Sequence, residues 1–103
     1  MKQINIIMII LLVFTANCSF FNQYPEKFMH GLKDVRINTK LPYEGFYRWN
    51  WQIIELQSCN IGTFEHELTH HVMKRVGWDL ERSQKHDFVF QANLEYIKSK
   101  KEK

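Results

Sequence analysis

The stretch Thr63-Phe64-Glu65-His66-Glu67-Leu68-Thr69-His70-His71 constrains this chain more than any other. Helical periodicity puts residues four apart on one face, one turn above the other. His66 and His70 can therefore direct two imidazoles at one metal ion. Glu67 is rotated by about 100° from His66 and stands beside that ion, where it can act on a metal-bound water. This H-E-x-x-H arrangement is the one zinc hydrolases use. Thr63 is placed to cap the helix, and Gly77 to stop it after Val76. The apolar stripe Phe64, Leu68, Val72 and Val76 spans about 0° to 120° of the helical wheel, while His66 and His70 fall near 200° and 240°. One face is thus expected to pack and the other to look into a cleft. His71, near 340° on the same wheel, sits beside the packing stripe and is not expected to be a ligand.

A chain of 103 residues has room for one small domain with a modest core. With 15% aromatic residues, that core is expected to be filled with large rings. The net charge of +3 is concentrated at the ends, because residues 98–103 carry four lysines and one glutamate. Between Gln3 and Ile97 there are nine basic and ten acidic side chains. That balance gives no basic binding face, so no nucleic-acid partner is expected. The lysine tail reads as a solvated, frayed terminus.

Residues 1–18 read as an address rather than as part of the fold. Lys2 precedes a nearly continuous apolar run over residues 4–14, and small or polar residues follow up to Ser19. The run is shorter than the roughly 20 residues a spanning helix needs, so it is expected to be a signal helix, with export to the cell envelope or periplasm. An apolar run closed by a small-residue triplet and Cys18 resembles a bacterial lipoprotein signal. That resemblance implies a lipid anchor on Cys18. The alternative is a Cys18–Cys59 disulfide in an oxidising compartment. Either Cys18 or the apolar segment itself could tether the chain to a membrane. Residues 19–23 then form a tether, residues 24–97 the folded domain and residues 98–103 the tail.

Within the domain, residues 24–32 are expected to form a helix, with Pro25 at its first position and Gly31 near its end. His30 falls there as a surface side chain. Val35, Ile37 and Leu41 alternate with polar residues, so residues 34–41 read as a strand. Residues 45–57, rich in aromatic and β-branched types, read as a hairpin turning near Trp49 and Asn50. Residues 78–85 form a polar connection. A last helix opens at His86 or Asp87, with Val89, Phe90, Leu94 and Ile97 at helical spacing. The class is α+β: an antiparallel hairpin or three-stranded sheet packed on the metal helix, with one further helix behind it.

A catalytic zinc site takes three protein ligands and leaves one position open. After His70 the candidates are Asp79, Glu81, His86, Asp87 and Glu95. His86 offers an imidazole at a loop-to-helix junction, at a distance that lets the chain finish one helix and return across the metal. The pattern His66-Glu67-x-x-His70, followed by His86-Asp87-x-x-Phe90, resembles the SprT-like zinc metallopeptidases. In that family H-E-x-x-H is followed by H-G-x-x-F, and the later histidine is the third zinc ligand; here Asp87 stands in place of the glycine. The resemblance covers residues 34–97. It implies a zincin-like fold and zinc-dependent hydrolysis of a peptide or protein substrate. His66, His70 and His86 would hold Zn²⁺, and Glu67 would activate a zinc-bound water. Two alternatives stay open. One is a gluzincin-like small peptidase with Glu95 as third ligand; the other is a non-catalytic zinc-binding accessory protein of the envelope.

Overall fold

The computed structural model describes residues 22–102. A 3₁₀ turn, Glu26–Met29, leads into strands β1 (Asp34–Ile37), β2 (Gly45–Arg48) and β3 (Ile53–Leu56), then helices α1 (Ile61–Arg75), α2 (Leu80–Gln84) and α3 (Phe88–Ser99). Among the described residues the class is α+β, as expected, with three strands and three helices. The expected signal segment and Cys18 lie outside the described residues. Among the described residues, no helix is long and apolar enough to cross a membrane. Cys59, in the loop before α1, is disulfide-bonded.

The sheet order is β1-β3-β2. β2 and β3 form the antiparallel hairpin, in register from Gly45↔Leu56 to Arg48↔Ile53. Gln52, at a φ of 55°, helps close its turn. β1 pairs with β3 in parallel, from Asp34↔Ile53 to Ile37↔Leu56, so the sheet is mixed and β2 is an edge strand. β1 is shorter than its alternating pattern suggests. The Asn38 side chain accepts the Lys40 N–H at 3.1 Å, and the Leu41 N–H reaches the Asn38 carbonyl at 3.0 Å. That local turn ends the strand, yet Leu41 is still buried. Residues 24–32 also depart from expectation. Only the four-residue 3₁₀ turn forms, because Gly31, at a φ of 82°, swings the chain into β1.

α1 is wedged between the sheet and α3. Ile54 and Leu56 of β3, Phe64 and Leu68 of α1 and Ile97 of α3 share one core, closed by Tyr24, Phe28 and Tyr47. Met73 of α1 belongs to a second cluster with Phe90 and Leu94 of α3. Burying each such side chain contributes roughly 1.5–3 kcal/mol. The packing stripe expected from the wheel therefore needs correcting. Val76 is exposed, and Met73 carries the packing on the other side of the helix. The cap also differs: Asn60, not Thr63, starts α1 by accepting the Thr63 N–H at 3.0 Å. At the far end Gly77, at a φ of 102°, donates to Lys74 and Trp78 donates to Met73. This is the Schellman pairing, and it folds Trp78 against the second cluster. Lys98 is still helical and faces Glu95 at 3.7 Å, and the Glu102 N–H reaches the Gln23 carbonyl at 2.6 Å. The lysine tail is therefore partly tied down rather than frayed throughout.

Two side chains of α1, Glu65 and His71, fasten it through polar contacts. The Tyr24 hydroxyl donates to the Glu65 carboxylate. His71, fully buried, lies 2.6 Å from the Tyr47 hydroxyl through Nδ1 and 2.7 Å from the His30 carbonyl through Nε2. A carbonyl only accepts, so Nε2 carries the proton and Nδ1 accepts from Tyr47. Burial pushes the pKa of both tyrosines well above the phenol value; for Tyr24 the Glu65 hydrogen bond and charge add to it, and for Tyr47 the Arg75 charge opposes it. A phenol with a raised folded-state pKa contributes stability that is intact below about pH 10 and is lost as the unfolded chain ionises first. Stability against urea is therefore expected to fall above pH 10 by up to about 1.4 kcal/mol per pH unit for each tyrosine. In a Tyr24→Phe/Tyr47→Phe double variant this alkaline slope should largely vanish; an unchanged slope would contradict the assignment.

Candidate metal centre

The second half of the chain brings three histidines to one point. Ligand atoms of His66, His70 and His86 lie within 4.8 Å of one another. Nε2 of His86 and Nε2 of His70 are 3.0 Å apart. Two ligands near 2.1 Å from a tetrahedral ion are about 3.4 Å apart, so this pair already stands near coordination distance. Two ring nitrogens that close must share either a proton or a cation. The three rings all rest on Phe90, with centroids at 5.0, 4.8 and 4.7 Å for His66, His70 and His86. Phe90 itself is fully buried.

Local chemistry places each ring. His66 and His70 share a face of α1 by helical spacing, with centroids 5.1 Å apart. His86 arrives by a longer route. Asp79 caps α2 by accepting the Arg82 N–H at 2.8 Å. α2 then delivers Ser83, fully buried, to His70, with Oγ 2.7 Å from Nδ1. His86 follows at a φ of 51°, in the left-handed region that costs a non-glycine residue roughly 1–3 kcal/mol. Asp87 next caps α3, accepting from Val89 and Phe90 at 3.1 and 3.2 Å, and pairs with Arg82 at 3.0 Å. The cap seats Phe90 in the first turn of α3, beneath the histidines.

The donor set fits a metal. Burial, with His86 nearby, lowers the pKa of His66. Burial, with both neighbouring imidazoles, takes His70 down to about 3. Both rings are therefore neutral at pH 7, as ligands must be. With Nε2 of His70 turned to the cluster, its Nδ1–H donates to Ser83, whose hydroxyl points to the Met73 sulfur at 3.9 Å. A metal-ligating histidine is normally held by such a partner on its other nitrogen. Glu67 is buried, and burial raises its carboxyl pKa to about 7.

Glu67 and His66 line two adjoining hollows. One, of about 200 Å³, is walled by β2, the three histidines, Leu80 and Gln84. The other, of about 420 Å³, is bounded by Glu44, Asn60 and Thr63. Gly45 lines both. A Cβ there would stand 3.3 Å from Cγ and Oε2 of Glu67 and would collide with Cγ2 of Thr63. The missing side chain lets the edge strand approach the carboxylate. A hollow of about 680 Å³ between the 3₁₀ turn and the end of α1 shares no residue with the cluster.

His66, His70 and His86 are brought together, with Glu67 beside them. His71 and His30 lie outside the cluster, joined to each other and to Tyr47. Glu95 is exposed and faces Lys98, and no ligand atom of it joins the three histidines. Sequence reasoning missed Ser83 and the role of Phe90. The capping signature at Asp79, followed by helix-forming residues, is the signal that a short helix interrupts the supposed connection. No protein-family model matches the chain, and neither a curated protein nor a solved structure shows significant similarity to it.

If the Ser83 hydroxyl orients His70, Ser83→Ala should weaken metal binding by about 10- to 100-fold in a competition titration against a chelator. Unaltered affinity would remove Ser83 from the metal site.

Proposed function

We propose that this chain is a small zinc-dependent peptidase of SprT-like type, carried outside the cytoplasm by its first 18 residues. The observation that carries the reading is the convergence of His66, His70 and His86, with Glu67 opening onto the same cleft. Three imidazoles make a donor set that suits zinc and leaves a coordination position for chemistry. Bound zinc would supply Lewis-acid polarisation of a carbonyl and lower the pKa of water.

The protein's own groups do the rest. Glu67 accepts a proton from the attacking water and returns it to the departing amine. Its desolvated carboxylate, with a pKa raised to about 7, is a stronger base than an exposed one. Cleavage should therefore fall as pH drops and Glu67 becomes protonated. Gly45 keeps the strand close to Glu67. The Glu44 carbonyl accepts from Gln57 and that of Arg48 from Gln52. Alternation then turns the backbone groups of Gly45 and Tyr47 to the open edge of β2, where an extended peptide can pair. The Tyr47 hydroxyl is committed to His71 and takes no part. Nothing in the positions of Glu95 and Lys98 favours Glu95 as a ligand.

Glu67→Gln should keep one metal per chain and lose hydrolysis by about 100-fold or more. His86→Ala should lose the metal and Glu95→Ala should keep it, as measured by metal analysis after dialysis. The reverse pattern would remove the SprT-like assignment, and metal binding without hydrolysis of any peptide would leave a non-catalytic zinc protein. Gly45→Ala should retain the metal yet lower the turnover rate, and adding Thr63→Ser, which deletes the colliding Cγ2, should restore part of the loss. Full activity in Gly45→Ala would show that the close approach is dispensable.

A further inference from the structure

α2 carries a feature that neither folding nor metal binding uses. Its sequence, Leu80-Glu81-Arg82-Ser83-Gln84, contains one apolar side chain, Leu80. A surface helix ordinarily turns its apolar residue into the core. Leu80 instead is 42% exposed and belongs to neither hydrophobic cluster. It lines the hollow of about 200 Å³ that also holds Glu67 and the three histidines. Gln84, one helical turn on, lines the same hollow. The charged members of α2 are directed elsewhere: Arg82 lies over the Trp78 ring at 4.4 Å and pairs with Asp87, and Glu81 does not line the hollow. The wall facing β2 across the reaction site is thus one aliphatic side chain and one neutral amide. A charged substrate side chain placed against that wall would find no counter-charge on α2 and would lose part of its hydration.

We propose that Leu80 and Gln84 form the specificity wall of the metal cleft and select a peptide with an uncharged, aliphatic side chain beside the bond to be cut. The assignment rests on the peptidase reading and adds the substrate class to it. Leu80 gives dispersion contact and removes apolar surface from water. Gln84 can hydrogen-bond a substrate amide without imposing a charge. Removing Leu80 should cost contact with the substrate side chain while leaving contact at the metal untouched.

The experiment uses the zinc-loaded full chain and three chelating probes that need no turnover: the hydroxamates of N-acetyl-glycine, N-acetyl-leucine and N-acetyl-aspartate. The glycyl probe reports the metal alone. The leucyl probe should bind at least about tenfold more tightly than the aspartyl probe, the scale a hydrophobic pocket sets for apolar contacts. Leu80→Ala should reduce leucyl binding by about tenfold with glycyl binding unchanged, and Leu80→Arg should reverse the order of leucyl and aspartyl. Equal leucyl-to-glycyl ratios in wild type and Leu80→Ala would overturn the proposal. A protein that shows the leucyl preference but cleaves no peptide would retire the peptidase reading and keep the wall. A protein that binds none of the three would overturn both.

Discussion

Three imidazoles resting on one buried phenyl ring is the contact on which the rest of the structure depends. Phe90 keeps water from one side of His66, His70 and His86. Burial makes His66 and His70 resist protonation, and only the neutral ring offers a lone pair to a metal. Much of the chain between α1 and α3 serves this contact. Gly77 and Trp78 end α1, α2 places Ser83 behind His70, and His86 accepts a costly backbone angle. Asp87 then starts α3 so that Phe90 falls beneath the cluster. The Asp87 carboxylate is what caps that helix.

His70 and His71 show how one helix serves two surfaces. A rotation of about 100° per residue sends neighbouring rings to different environments. His70 turns to the cluster and is steadied by Ser83, while His71 turns to the sheet and is steadied by Tyr47 and the His30 carbonyl. The second histidine therefore ties the edge strand to the helix that carries Glu67. Gly45, two residues before Tyr47, sets how closely strand and carboxylate can approach. The histidine face and the sheet face are coupled through β2, which is also one of the sheet's two edge strands.

Much of the site was legible in the sequence because helical spacing is local. A spacing of four positions from His66 to His70 suffices to put them on one face, and the return of His86 needed only a count of the intervening chain. The hairpin followed from β-branched and aromatic density. Less local facts were hidden. Parallel pairing of β1 with β3 depends on a partner chosen across the fold, and its early end depends on an Asn38 turn that alternation does not register. Thr63 looked like a cap because threonine is a good one, but Asn60 supplies the same acceptor one turn earlier. Phe90 was visible as a motif letter, yet its place under three rings exists only once α1 and α3 are packed. Val76 satisfied the helical period but lies past the point where anything covers the helix.

Three imidazoles holding one metal ion is the feature on which the proposed function stands. X-ray absorption at the zinc edge of the zinc-loaded protein tests it most directly. The predicted spectrum has three imidazole nitrogens at about 2.0–2.1 Å and one lighter oxygen scatterer in a four-coordinate shell. A shell containing sulfur near 2.3 Å, or fewer than three imidazoles, would contradict it.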